Sequence, residues 1–140
     1  MSAFVVDASI AVKWFFPEVH DADALRLLRG GHDLLVPDVF FAEVGNALWK
    51  RLRRGETTAV VAAGAVDELG RLFFQVHPSQ ALIPLALDLA TRFDRTVYDS
   101  MYVAVAVLRQ CPLVTADRRL QEALSGGPLR SHVLWVGDVS

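Results

Sequence analysis

Short apolar runs alternate with segments of helical spacing along the whole of this chain, and that alternation limits its fold more than any other feature. Ala3 to Val6 is short, rich in β-branched residues and ends at Asp7; the helical SIAVKWFF that follows is stopped by Pro17. The spacing of Ala24, Leu25, Leu27 and Leu28 predicts a helix closed by Gly30 and Gly31, and LLV before Pro37 predicts a second strand. Asp38 is placed to cap a long helix through VFFAEVGNALWKRLRRG, with Phe40, Val44, Ala47 and Leu48 at helical spacing and a stop at Gly55. Thr57 or Thr58 caps another to about Arg71, LFFQV reads as a third strand, and a helix from about Ser79 to Arg92 takes Pro84 in its first turns. A helix from about Tyr98 to Arg109, the strand PLVT, a short helix DRRLQEAL and a strand around His132 to Val136 complete the order. No fixed-period repeat or Gly/Ser-rich linker interrupts it. The expectation is one α/β domain over residues 1–140, a three-layer sandwich with a central, mostly parallel five-stranded sheet flanked by helices. Such sheets bind ligands at the carboxyl ends of their strands.

Composition narrows the setting. A hydrophobic fraction of 53% and a mean hydropathy of +0.33 are high for 140 residues, so part of the apolar surface is expected to be covered by a second copy or a partner. No apolar run approaches the roughly 20 residues that span a bilayer, and no secretory leader pattern opens the chain, so a cytoplasmic protein without membrane contact is expected. Cys111, the single cysteine, reads as a small buried thiol. The net charge of -2 does not advertise a nucleic-acid binder, yet Lys50 to Arg54 (KRLRR) and the Arg118–Arg119 pair are local basic patches. Cations near a helix C-terminus are equally expected from the helix dipole.

The acids fall where the fold would gather them. Asp7 ends the first strand, Asp117 lies just beyond PLVT, Glu43 sits about one turn into the long helix, and Asp99 opens the helix TVYDSMYVAVAVL. Each has an ordinary alternative, since Asp99 and Asp117 suit helix N-termini and Asp7 suits a turn. Glu43 stands between Phe40, Phe41 and Val44, where an acid needs a partner, and it shares a helix stripe with Asn46 and Lys50. Four carboxylates brought to one edge repel one another unless a cation is shared, and oxygen ligands suit Mg2+, with Mn2+ as a substitute. Zinc is disfavoured because none of His20, His32, His77 and His132 has a histidine or cysteine at ligand spacing.

Four segments in order, VVDASIAVKWF, FFAEVGNALWK, TVYDSMYVAVAV and LVTADRRL, make the chain similar to PIN-domain proteins, specifically the VapC-like ribonuclease toxins of prokaryotic toxin-antitoxin pairs. The resemblance runs from Phe4 to about Val136 and implies that Asp7, Glu43, Asp99 and Asp117 are the catalytic, metal-binding acids. Ser9 and Thr115 match the family's hydroxyls beside the first and last acids, and Asn46 matches its amide one turn after the helix acid, so these three are expected to support the ligands. The implied activity is Mg2+-dependent endoribonuclease hydrolysis of RNA phosphodiesters, leaving a 5'-phosphate and a 3'-hydroxyl. Lys50, Arg51, Arg53, Arg54, Arg118 and Arg119 are the RNA-contact candidates. The resemblance also implies a homodimer and a small VapB-like antitoxin that blocks the site.

Rival α/β readings fit less well. A phosphoacceptor receiver domain needs adjacent acids after the first strand and an acid ending the third, but Asp7 is followed by Ala8 and LFFQVHP has no acid. A haloacid-dehalogenase-like phosphatase needs Asp-x-Asp where this chain has Asp7-Ala8-Ser9. The alternative from another class is a catalytically silent PIN-like module that only binds RNA or protein.

Overall fold

The computed structural model describes residues 2–139. Strands β1 (Ala3–Val6), β2 (Asp33–Pro37), β3 (Gln75–His77), β4 (Leu113–Thr115) and β5 (Val133–Trp135) form one sheet in the order β3-β2-β1-β4-β5, and every adjacent pair is parallel. The helices are α1 (Ala8–Phe15), α2 (Asp21–Arg29), α3 (Val39–Arg53), α4 (Ala59–Arg71), α5 (Ser79–Phe93), α6 (Val97–Arg109) and α7 (Arg118–Ser125). The architecture is the expected parallel α/β sandwich. Val5, Val6, Leu35, Val36, Leu113 and Val114 are buried because both sheet faces carry helices, which is why these strands read as continuous apolar runs rather than alternating ones.

Helix α6 explains the apolar stretch after Asp99. Residues Ser100 to Ala106 are all buried, so the middle two turns of this helix are enclosed, packed on α5 and on strands β1 and β2. Thr96 caps it by accepting a hydrogen bond from the Asp99 amide at 3.0 Å. Thr58, rather than Thr57, caps α4 through the Val61 amide.

Several boundaries differ from the sequence reading, each for a local reason. Asp38 makes no cap for α3; its carboxylate instead accepts from the Ser79 amide at 3.0 Å, so it caps α5 across forty-one positions of chain. The third strand is confined to Gln75–His77 because β2 offers it only Leu35 to Pro37 as partners. Ahead of it, Phe74 packs on Trp14 and Phe40 while Phe73 points outward. Pro84 lies in the second turn of α5, on its exposed side, where it withdraws one donor from the ladder. Among the described residues no helix is long and apolar enough to cross a membrane.

Candidate functional site

The sheet order reverses direction between β1 and β4, and a crevice opens outside the carboxyl ends of those two strands. It is a cleft of about 410 Å³ whose lining includes Asp7, Glu43, Asp99 and Asp117, so four acids from widely separated segments share one cavity. Ser9, Asn46 and Lys50 line it as well.

Asp7 is the most constrained of the acids. It is the N-cap of α1, accepting from the Ile10 amide at 3.3 Å, and only 8% of it is exposed. The Ser9 hydroxyl donates to its Oδ1 at 2.5 Å and the Thr115 hydroxyl to its Oδ2 at 2.5 Å. Both hydroxyls are themselves oriented by the β4 turn, since Ser9 Oγ accepts from the Ala116 amide at 3.1 Å and Thr115 Oγ1 from the Asp117 amide at 3.0 Å. Each hydroxyl thus accepts an amide hydrogen on one lone pair while its own proton is directed at the carboxylate. Burial nevertheless dominates: it pushes the Asp7 carboxyl up to about 6, the three hydrogen bonds pull it down, and Asp117 nearby adds a smaller upward push.

The other three acids share a pattern, with one oxygen engaged and one without a donor among the described residues. Glu43 Oε1 accepts from the Tyr102 hydroxyl at 2.5 Å, Asp99 Oδ2 from Arg95 at 3.2 Å, and Asp117 Oδ1 from the Arg119 and Leu120 amides at the start of α7. No three carboxylates among the described residues close into a ready-made chelate. The donor set is nonetheless all oxygen: four carboxylates line one cleft, three of them keep an oxygen that accepts no hydrogen bond among the described residues, and the buried Asp7 makes no ion pair among those residues. That chemistry fits a hard divalent ion that retains several of its waters, and it does not fit a soft metal.

The family model for the PIN domain matches residues 4–124. The chain belongs to the PIN-domain family. Among relatives of this PIN domain, ribonuclease VapC3 of Pyrobaculum aerophilum is 36% identical over 84% of the chain and 92% of its own length. Ribonuclease VapC1 of Mycobacterium tuberculosis is 35% identical over 88% of the chain and 92% of its own length. A crystal structure from P. aerophilum superposes with a TM-score of 0.70 at 26% identity, covering 97% of this chain and 85% of that one. VapBC2 of Rickettsia felis, solved bound to a DNA fragment from its promoter, superposes with a TM-score of 0.65 at 13% identity, over 95% and 98% of the two chains, and shows the shared fold.

The basic candidates of the PIN domain are placed less uniformly than its acids. Lys50 lines the cleft, whereas Arg51 is taken up by Glu18, which also holds Lys13 at 3.1 Å, and its guanidinium lies over Phe16. Arg53 and Arg54 are exposed at the end of α3. Arg118 stacks on Trp135 at 3.6 Å and Arg119 is exposed, and neither lines the cleft.

Two residues at the site escaped the sequence reading. Tyr102 is 2% exposed, and burial together with Glu43 pushes its phenol far above the ordinary range, so it stays a donor. Its signal was available: a tyrosine within a buried apolar helix needs a partner for its hydroxyl, and it stands one turn after Asp99. Arg95 left a weaker trace, because it precedes its helix. Its Nε is buried without a partner, so only part of its fork is satisfied by Asp99.

Proposed function

We propose that this protein is a divalent-metal-dependent endoribonuclease that acts as the toxin of a toxin-antitoxin pair, hydrolysing RNA phosphodiesters in the cytoplasm. The observation that carries this reading is the gathering of four acids in the cleft at the β1–β4 switch point, with Asp7 locked by two hydroxyls. The ribonuclease names of the 35–36% identical relatives support the reaction class. Asp7, Glu43 and Asp99 are assigned as ligands, and Asp117 as the support for a second ion or a water. Ser9 and Thr115 hold Asp7, and Asn46 faces the same cleft. Bound Mg2+, or Mn2+ in its place, supplies a water acidified toward neutrality and neutralises charge on the phosphoryl oxygens. Tyr102 and Arg95 each hold one oxygen of Glu43 and Asp99, which leaves the second oxygen of each carboxylate as the candidate metal ligand.

A VapB-like antitoxin and a homodimer complete the proposal. The R. felis neighbour is a VapBC pair, and the exposed Val60, Val66, Phe73 and Leu87 are more apolar surface than an isolated chain needs to show. The test is cleavage of total RNA by the purified, antitoxin-free protein with Mg2+, with Mn2+ and with EDTA, beside Asp7→Asn and Asp99→Asn. Metal-dependent cutting lost in both variants is the expected result. Cutting that survives in either variant, or no cutting by any folded form, would favour a module that binds without catalysis.

A further inference from the structure

The C-terminal turn of α3 carries a second, smaller concavity of about 360 Å³, lined by Trp49, Lys50, Arg53 and Arg54. Trp49 is 50% exposed, so half of a large apolar ring faces solvent beside three cations. The Arg53 guanidinium lies over its ring at 5.1 Å from the centroid, which steadies the ring plane and sets a positive charge beside it. Among the described residues Lys50, Arg53 and Arg54 form no ion pair, in contrast to Arg51 on the same turn, which Glu18 neutralises. No acid lines this concavity.

Lys50 lines both this concavity and the acidic cleft. The two therefore adjoin at Lys50 along α3, where Glu43, Asn46, Trp49 and Arg53 succeed one another at steps of three or four residues. A ligand that spans both must be a polyanion with flat apolar groups, able to reach a metal-binding cleft at one end. Single-stranded nucleic acid has that composition, because its bases stack on aromatic rings while its phosphates pair with nearby cations.

We propose that Trp49 is the floor of a base-stacking subsite for single-stranded RNA, with Lys50, Arg53 and Arg54 as its phosphate contacts. This rests on the RNA-cleavage reading and extends the substrate path beyond the acids along α3. The subsite takes any base, since stacking on an indole uses the ring face and not the hydrogen-bonding edge.

The experiment measures binding of an eight-nucleotide single-stranded RNA by fluorescence polarisation, in an Asp7→Asn background that stops hydrolysis, with Trp49 intact or changed to Ala or Phe. A matched series of oligonucleotides carries one abasic position at a time. Trp49→Ala is expected to weaken binding about tenfold, Trp49→Phe to retain most of it, and one abasic position to erase the difference between the Trp49→Ala variant and its parent. In the active protein Trp49→Ala should raise KM for short RNA with little change in kcat. Because Trp49 is half exposed, the variants should melt like their parents. Binding and cleavage unaffected by Trp49→Ala, or an equal loss on every abasic oligonucleotide, overturn the subsite and leave the nuclease reading intact. Loss of a protein partner without loss of RNA binding assigns the surface to that partner and also overturns it. If the unmodified protein neither binds nor cuts RNA, the nuclease reading itself fails.

Discussion

Asp7 shows what a single buried carboxyl does to the balance between stability and function. Folding raises its pKa from 3.8 to about 6, so the folded chain holds that proton more tightly than the unfolded one. The group therefore favours folding below about pH 4, and that contribution is lost as pH rises through about 6. Ionised Asp7 therefore costs roughly 3 kcal/mol at neutral pH in the metal-free protein. Asp7→Asn should accordingly raise the melting temperature at about pH 7.5 and change it much less at about pH 4.5, as followed by circular dichroism in EDTA. With Asp7 as a ligand, Mg2+ should raise the melting temperature of the unsubstituted protein at neutral pH and have a smaller effect on Asp7→Asn. Tyr102→Phe probes the same site from the other side. It removes one hydroxyl and no ring volume, so it should leave the fold in place while weakening Mn2+ binding about 10- to 100-fold, read by isothermal titration calorimetry.

At the scale of elements, the site depends on where helices begin. Asp7, Thr96 and Asp117 are the N-caps of α1, α6 and α7, and the three caps lie on or within three residues of a cleft acid. Capping therefore fixes the heading of the helices and the position of the carboxylates in one act. Two caps that look alike should separate in experiment. Asp38→Ala removes the long-range cap of α5, whose partner Ser79 does not line the cleft, and should lower the urea midpoint by an amount equivalent to about 1 kcal/mol with the slope unchanged. Its metal affinity should stay the same. Thr96→Ala should cost a similar stability but also lower metal affinity, because its hydroxyl holds the amide of Asp99 itself. Equal effects of the two on metal binding would show that cap position is irrelevant to the site.

For the whole molecule, the parallel order β3-β2-β1-β4-β5 is what turns four local features into one site. It places the ends of β1 and β4 side by side, delivers the start of α6 to the same edge, and leaves α3 to close the cleft from the other flank. The same wrapping leaves Ile83 and Leu87 exposed one turn apart on the outer side of α5. The proposed homodimer makes this face a candidate contact, and Leu87→Glu should shift sedimentation to the monomer while the circular dichroism spectrum is unchanged. A Leu87→Glu protein that remains a dimer would move the contact elsewhere.

Three of the four acids were legible in the sequence because each follows an element boundary that period and turn chemistry mark by themselves: Asp7 after Ala3 to Val6, Asp117 after PLVT, Asp99 at the head of an apolar helix; Glu43, inside α3, was marked instead by its apolar neighbours Phe40, Phe41 and Val44. The parallel alternation of strands and helices was legible for the same reason, since apolar period and chain stops are local properties. Tertiary structure alone decided what each side chain touches. Asp38 abandons the helix beside it for Ser79, Arg51 is taken by Glu18, and Tyr102 reaches Glu43 across fifty-nine positions. Those partners come from elements distant in sequence. A side chain takes the best donor or acceptor that packing brings within reach, and that choice is made only when the sheet has set the neighbours.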